Sequence, residues 1–190
     1  TWSYADKQLT ISGQGKMINA SAPADIPWKE YRDELEKIVV EPGVTTIGDY
    51  AFFDCWKATE CSLPEGITDI FKCAFYGCDN LKSCKIPSTV CVIDAAAFAR
   101  CYAITSVEIP RNVKAIGSEA FQACRSLESV TLNKGLTQIC PDAFASCVKL
   151  KDIQFPSTLR LIDFRAFQYC GALTEIEIPG KVETIGSSAF

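Results

Sequence analysis

Histidine occurs nowhere in the 190 residues. Its absence removes the commonest general acid–base and the commonest metal ligand together. Ser-His-Asp and Cys-His nucleophilic chemistry therefore cannot be assembled within this chain. There is also no Gly-rich phosphate loop, no paired-carboxylate motif and no nucleophile elbow. Long apolar runs are missing too, none approaching the ~20 residues of a membrane span. Basic charge is in deficit: 19 Lys and Arg stand against 23 Asp and Glu, a net charge of −4. Nucleic-acid binding, which needs a basic stripe, has no footprint here. The balance that remains, 48% hydrophobic and 22% charged, is too apolar for a disordered tail.

What the chain does have is a period. From Leu35 to Phe190 a unit of 23 residues is copied seven times without insertion or deletion. Leu35, Ala58, Leu81, Ile104, Leu127, Leu150 and Leu173 open the copies. An Ile column follows at Ile47, Ile70, Ile93, Ile116, Ile139, Ile162 and Ile185, then an Ala-Phe pair, from Ala51-Phe52 to Ala189-Phe190. Cys55, Cys78, Cys101, Cys124, Cys147 and Cys170 close the complete repeats. A fixed period in this range means a solenoid. Within each unit the first block alternates, with Ile153 and Phe155 on one side and Asp152 and Gln154 on the other, which is a strand signal. A proline ends that strand at Pro64, Pro87, Pro110, Pro156 and Pro179; Glu41 and Asn133 replace it. A second, shorter extended segment such as Val113–Ile116 comes next. Gly48, Asp94, Gly117, Asp163 or Gly186 then stands where a helix would be capped. Phe71 and Cys140 share that column, which argues against a left-handed backbone there. The Ala-Phe-x-x-Cys segment is predicted to be one short helical turn. One coil cannot fold alone; stacking supplies burial on both of its sides.

Leu-x-x-Ile-x-Ile-Pro-x-x-Val-x-x-Ile-Gly-x-x-Ala-Phe-x-x-Cys resembles the leucine-rich repeats of the BspA-like family. Residues 104–126 (ITSVEIPRNVKAIGSEAFQACRS) follow the pattern almost throughout, with Ile for the first Leu. Departures are Ala58 at the Leu position, Cys61 and Cys84 in the first strand, and Phe71 at the cap. The fold class so implied is α/β: a right-handed leucine-rich-repeat solenoid of seven coils with parallel β-strands and short helical turns, plus an N-terminal cap. Residues 1–34 form the cap, read as a hairpin around Ala5-Asp6-Lys7 and a short helix opened by Pro27. Residues 35–190 form the array, cut in its seventh repeat. The sequence opens at Thr1 without a signal-like segment, so a targeting sequence is expected outside these residues, and the protein is expected to continue past Phe190. The resemblance further implies a secreted or cell-surface bacterial protein. Members of the family are associated with adhesion to host matrix proteins or other cells.

Eleven cysteines invite a disulfide framework. Six share one inward column, however, where parallel side chains rarely meet the disulfide torsion, and cysteine is a common small buried filler. Free buried thiols are expected there. No CxxC pair and no His supports a zinc site. Cys91 and Cys140 are the thiols expected near the surface and most reactive.

Function in a solenoid is sought in the columns that vary. The outward first-strand positions run from mixed charge at Lys37, Glu60 and Lys85, through Ser and Thr, to acidic residues at Asp152, Glu175 and Glu177. Lys85, Glu108, Thr131, Gln154 and Glu177 are the candidate protein-binding residues, on what would be a concave sheet face. A second candidate is the aromatic group Phe53, Trp56, Tyr76 and Tyr102, which could anchor a partner or pack between coils. The expected function is an adhesin-like interaction module for a host matrix or cell-surface protein, without catalytic residues, cofactor or metal. The alternatives are a structural spacer displaying other domains and a glycan-binding module.

Overall fold

The computed structural model describes residues Thr1 to Phe190. The N-terminal segment contributes β1 (Trp2–Ala5), β2 (Gln8–Ile11) and β3 (Gly15–Lys16). The first coil carries β4 (Lys37–Val40) and β5 (Val44–Ile47), the second β6 (Glu60–Ser62) and β7 (Asp69–Ile70), and the third only β8 (Val92–Ile93). The fourth has β9 (Ser106–Ile109) and β10 (Ala115–Ile116), the fifth β11 (Ser129–Leu132) and β12 (Gln138–Ile139). The sixth has β13 (Asp152–Ile153) and β14 (Leu161–Ile162), and the seventh β15 (Thr184–Ile185).

These strands stack into parallel ladders. The second strand of each coil builds one unbroken sheet of eight, from β3 to β15, in which Ile47, Ile70, Ile93, Ile116, Ile139, Ile162 and Ile185 lie in register. All but the last are buried. The first strands form two separate sheets, β1-β2-β4-β6 and β9-β11-β13. Between them only a single bridge, Cys61 to Cys84, survives. Cysteine there replaces the Ile or Val that β-strands favour at Ile38, Val107, Val130 and Ile153, and the sheet weakens where they stand.

The Ala-Phe segment is built differently from the expected helical turn. Ala51, Phe53 and Cys55 do close 3₁₀-type bonds, their N–H groups donating to the carbonyls of Gly48, Tyr50 and Phe52. The alternate N–H groups, on Tyr50, Phe52 and Asp54, instead donate to Lys72, Ala74 and Tyr76 of the next coil at 3.0, 2.7 and 2.7 Å. No helix propagates because every second donor leaves its own chain segment. This alternation needs a left-handed backbone at Tyr50 (φ 57°) and Asp54 (φ 53°), and their counterparts Cys73, Ala96, Arg100, Glu119, Ala123, Asp142, Ser146, Arg165 and Tyr169 share it. Among the paired positions only Gly77 is a glycine. A Cβ there would also run into the Asp54 carboxylate. The predicted cap column itself is not left-handed; Asp94 and Asp163 accept from the N–H groups of Ala95 and Phe164 at 2.7 Å.

Inside the turns the phenylalanines stack. Phe52, Phe75, Phe98, Phe121, Phe144, Phe167 and Phe190 have ring centroids 4.9–5.5 Å apart, and from Phe75 onward the planes lie within 9° of parallel. The cysteine column stitches the same layer: Cys78, Cys101, Cys124, Cys147 and Cys170 donate Sγ–H to the carbonyls of Phe52, Phe75, Phe98, Phe121 and Phe144 at 3.1–3.2 Å. Each thiol thus engages a carbonyl of the preceding coil, a role an apolar filler could not perform.

The N-terminal segment imitates a further coil although it shares none of the repeat columns. β2 pairs in parallel with β4, β3 with β5, and β1 folds back antiparallel on β2 through a left-handed Asp6-Lys7 turn. Trp28 follows a stretch in which Ala20 and Ile26 are buried, and one 3₁₀ turn, Lys29–Tyr31, stands where a helix was expected. The Trp28 ring extends the Phe stack, 6.3 Å from Phe52. Its Nε1–H donates to the Ala51 carbonyl at 2.7 Å. In later coils the equivalent Ala carbonyl takes a Phe N–H, so the indole supplies the donor that an earlier coil would have provided.

Candidate functional site

The outward columns of the first strands reach solvent as the alternation requires. Lys85, Glu108, Thr131, Gln154 and Glu177 are all exposed. Glu108 and Thr131 are direct partners across β9 and β11, and Ser129 faces Asp152 across β11 and β13. Open depressions lie between these side chains. One takes Lys85 and Glu108, with Arg111 and Asn133 at its border. A second takes Thr131 and Gln154, and a third, of about 850 Å³, takes Gln154 and Glu177. The candidates therefore do not converge on one cavity; they form a row along the axis. The four ion pairs of the chain, Lys7–Glu36, Lys37–Glu60, Lys151–Glu128 and Arg160–Glu183, involve none of the five. Lys85, Glu108 and Glu177 accordingly keep their charges free of internal salt bridges.

The aromatic group is brought together in part. Phe53 and Tyr76 stack at 5.0 Å with planes 5° apart, and Tyr50 meets Phe53 edge-on. Tyr102 lies under two guanidinium groups, Arg100 at 5.7 Å and Arg125 at 4.9 Å. Trp56 stands apart and exposed, its Nε1–H donating to Asp33 at 3.1 Å. Stacking between coils thus engages rings that a sugar would otherwise use. Arg100 is the residue that sequence reasoning missed. Its Nε donates to the Tyr102 hydroxyl at 2.8 Å and its Nη1 to the Tyr76 hydroxyl at 3.4 Å, and these bonds hold its pKa above the usual arginine value. A positional signal existed only for Arg125, which shares a column with Tyr102 in consecutive repeats; the column neighbours of Arg100 are Gly77 and Ala123, which give none. Asp54 and Asp79 lie near Arg100 without pairing to it, and burial pushes both carboxyls up.

All eleven cysteines are free thiols. The repeat column is buried, and burial pushes Cys124 up to about 12 and Cys170 up to about 11. A thiol that burial keeps protonated retains the S–H that it donates to the carbonyl. Cys91 is exposed, whereas Cys140 is half-buried and raised by that burial. No three thiols or carboxylates gather into a group that could hold a metal ion. No helix is long and apolar enough to cross a membrane.

Parallel ladders at a repeat of 23 residues, a buried Leu-Ile-Phe-Cys interior and polar outward columns define a leucine-rich-repeat protein. The sequence pattern of the BspA type leucine rich repeat region matches residues 30–147 and 91–190, and the chain belongs to that family. No curated protein matches it significantly. Among solved structures it is similar to a leucine-rich repeat protein from Bacteroides ovatus, with 25% identity and a TM-score of 0.77 over 98% of this chain and 53% of the other. It is similar also to a leucine rich cell surface protein from Faecalibacterium prausnitzii, with 26% identity and a TM-score of 0.72 over 92% of this chain and 52% of the other. The T. pallidum leucine rich repeat protein shares the fold at 22% identity and a TM-score of 0.74, over 98% of this chain and 82% of the other. The chain spans about half the length of the first and second of these relatives.

Proposed function

We propose that the chain is a binding module of the bacterial cell surface, adhesin-like, that takes a host matrix or cell-surface protein along the outward row Lys85, Glu108, Thr131, Gln154 and Glu177. The observation that carries this reading is the exposed row itself: one outward side chain per coil at the same repeat position, Glu108 and Thr131 paired across neighbouring strands, with charges unspent on internal pairs. Family membership and the likeness to a cell surface protein support the location. Binding rather than catalysis fits a surface whose polar groups are spread over several coils instead of gathered in one enclosed pocket.

The test is binding of the purified chain to immobilised matrix proteins and to cells. Glu108→Lys, Gln154→Lys and Glu177→Lys together should weaken saturable binding about tenfold or more, as loss of central contacts does. Absence of saturable binding, or binding indifferent to these changes, overturns the proposal for this face. A second reading rests on Arg100 and Arg125, two cations fixed on Tyr102 and without a salt-bridge partner. That edge suits a carboxylate of a partner protein. If binding survives the row substitutions but falls with Arg100→Ala and Arg125→Ala, the turn edge is the site. If the unsubstituted chain binds no surface saturably, the chain is a spacer.

A further inference from the structure

Five inward thiols of this chain are pinned to carbonyls, and Cys61 and Cys84 are not. In the repeat column, five sulfurs each donate to a phenylalanine carbonyl of the preceding coil, which commits each S–H to that bond. Cys61 and Cys84 belong to another column, the inward position of the first strand, where no such carbonyl is engaged. They are direct partners across neighbouring coils. Paired residues on adjacent strands lie about 4.8 Å apart, inside the Cα separation of roughly 4.4–6.8 Å that disulfides span. The pairing is also the only bridge left in the first ladder at this point. β6 holds the Cys61 backbone in register with β4, whereas Cys84 lies outside any strand and is tied to the second coil by this one bridge, so its backbone can turn the thiol toward Cys61. The Cys61 residue is half-buried and Cys84 is buried, and both thiols point inward, so a small reagent meets Cys61 only when this broken part of the ladder opens. The Cys84 thiol is also the neighbour that most perturbs Cys61, ahead of burial.

We propose that Cys61 and Cys84 are a site of reversible disulfide formation that joins the second and third coils, with a small soluble disulfide as the oxidant. The Cys61 thiolate attacks one sulfur of the reagent, its S–S bond breaks, and the first reagent thiolate leaves. The Cys84 thiolate then attacks the Cys61 sulfur of the mixed disulfide and expels the reagent's second half. The protein gives up two electrons and two protons, and the reagent departs as two thiols. Burial and the neighbouring thiol keep Cys61 largely protonated at neutral pH, so the reaction is slow and needs long incubation. The site is independent of the outward binding row, although Lys85 follows Cys84 directly and would be held more firmly by the closed bond.

The experiment incubates the whole chain with oxidised glutathione, quenches in acid, alkylates the remaining thiols in denaturant and maps the unreduced peptides by mass spectrometry. The expected product is a peptide pair cross-linked through Cys61 and Cys84. Cys61→Ser and Cys84→Ser should each abolish it, and Cys91→Ser, which removes the exposed thiol, should leave it. Three results would overturn the proposal: eleven alkylatable thiols after incubation, a glutathione adduct on Cys61 that never resolves, or a link from either residue to a different cysteine. The mapping of the unsubstituted chain decides by itself, so a serine variant that failed to fold would not protect the idea.

Discussion

The second-strand ladder runs through eight strands without a gap, whereas the first-strand ladder breaks between the second and fourth coils. Both are made by the same repeat, with the same spacing and the same chain direction. The difference lies in what fills their inward columns. The continuous ladder has Ile at every copy, and the interrupted one has Cys on both sides of its gap: Cys61, which still pairs with β4 inside β6, and Cys84, which lies outside any strand. Regular backbone in a solenoid therefore depends on the side chain that each coil contributes, and the period alone does not ensure it. The variable ladder is also the one whose outward face carries the candidate binding row, so the stiffer sheet and the more adaptable sheet are separate parts of each coil.

The sharpest test of this contrast sits within the third coil. Ile93→Ala should cost about 2–5 kcal/mol by leaving a cavity in the continuous ladder, whereas Cys84→Ala, which removes less buried volume from the broken one, should cost about 1 kcal/mol or less. Urea denaturation of the two variants reads the difference; equal losses would mean that the two ladders contribute alike.

The buried thiols give the next largest effect. Burial raises the folded pKa of Cys124, Cys147 and Cys170, so their contribution is fully present below the ordinary thiol pKa and is lost as the pH climbs through it toward the folded value. For Cys124 that window runs up to about 12. Stability should fall by up to roughly 1.4 kcal/mol per pH unit for each such thiol above about pH 9. Thermal melts across the alkaline range should show this decline, and Cys124→Ala should make it shallower.

Two smaller changes probe the turn layer. Trp28→Phe keeps a ring on the stack but leaves the Ala51 carbonyl without its donor, a loss of about 1–3 kcal/mol. Hydrogen exchange should quicken at the cap before it quickens in the middle coils. Ser146→Gly acts in the opposite direction. Relief of a left-handed serine at φ 63° should stabilise by about 1 kcal/mol, read as a higher melting temperature.

Much of this arrangement was legible in the sequence, because a column repeated seven times reports its environment by what it tolerates. Strand alternation, the proline bend, the Ile column and the buried Cys column all follow from such constancy, and so do the coil number and the parallel pairing. The turn geometry was hidden because its left-handed positions hold Tyr, Cys, Ala, Glu, Asp, Arg and Ser instead of glycine. Bonds to the next coil impose that conformation, and no local signal marks them. The imitation coil at the N-terminus escaped for a related reason: Trp28 takes the place of a Phe and supplies a side-chain N–H where the repeat uses a backbone one. The outward candidates were placed correctly on the exposed face by alternation alone, but Arg100 required the cross-coil geometry of its two tyrosines.

The turn layer has one more consequence. The peptide group that accepts from Tyr50 at Lys72 passes its own N–H, on Cys73, to Ala95, and the relay continues through Ala96, Glu119, Asp142 and Arg165 to Ser187. Parallel relays run through the Phe positions and through Asp54, Gly77, Arg100, Ala123 and Ser146. Peptide groups joined head to tail in this way polarise one another and add their dipoles, as they do along an α-helix. All three relays point the same way, with N–H groups toward the later coils. The ladder edge is wired the other way: Phe71, Asp94, Gly117, Cys140, Asp163 and Gly186 donate to Ile47, Ile70, Ile93, Ile116, Ile139 and Ile162 of the preceding coils, so the two edges of the solenoid carry opposed dipoles. An approaching charged partner would therefore meet the positive end of one edge beside the negative end of the other.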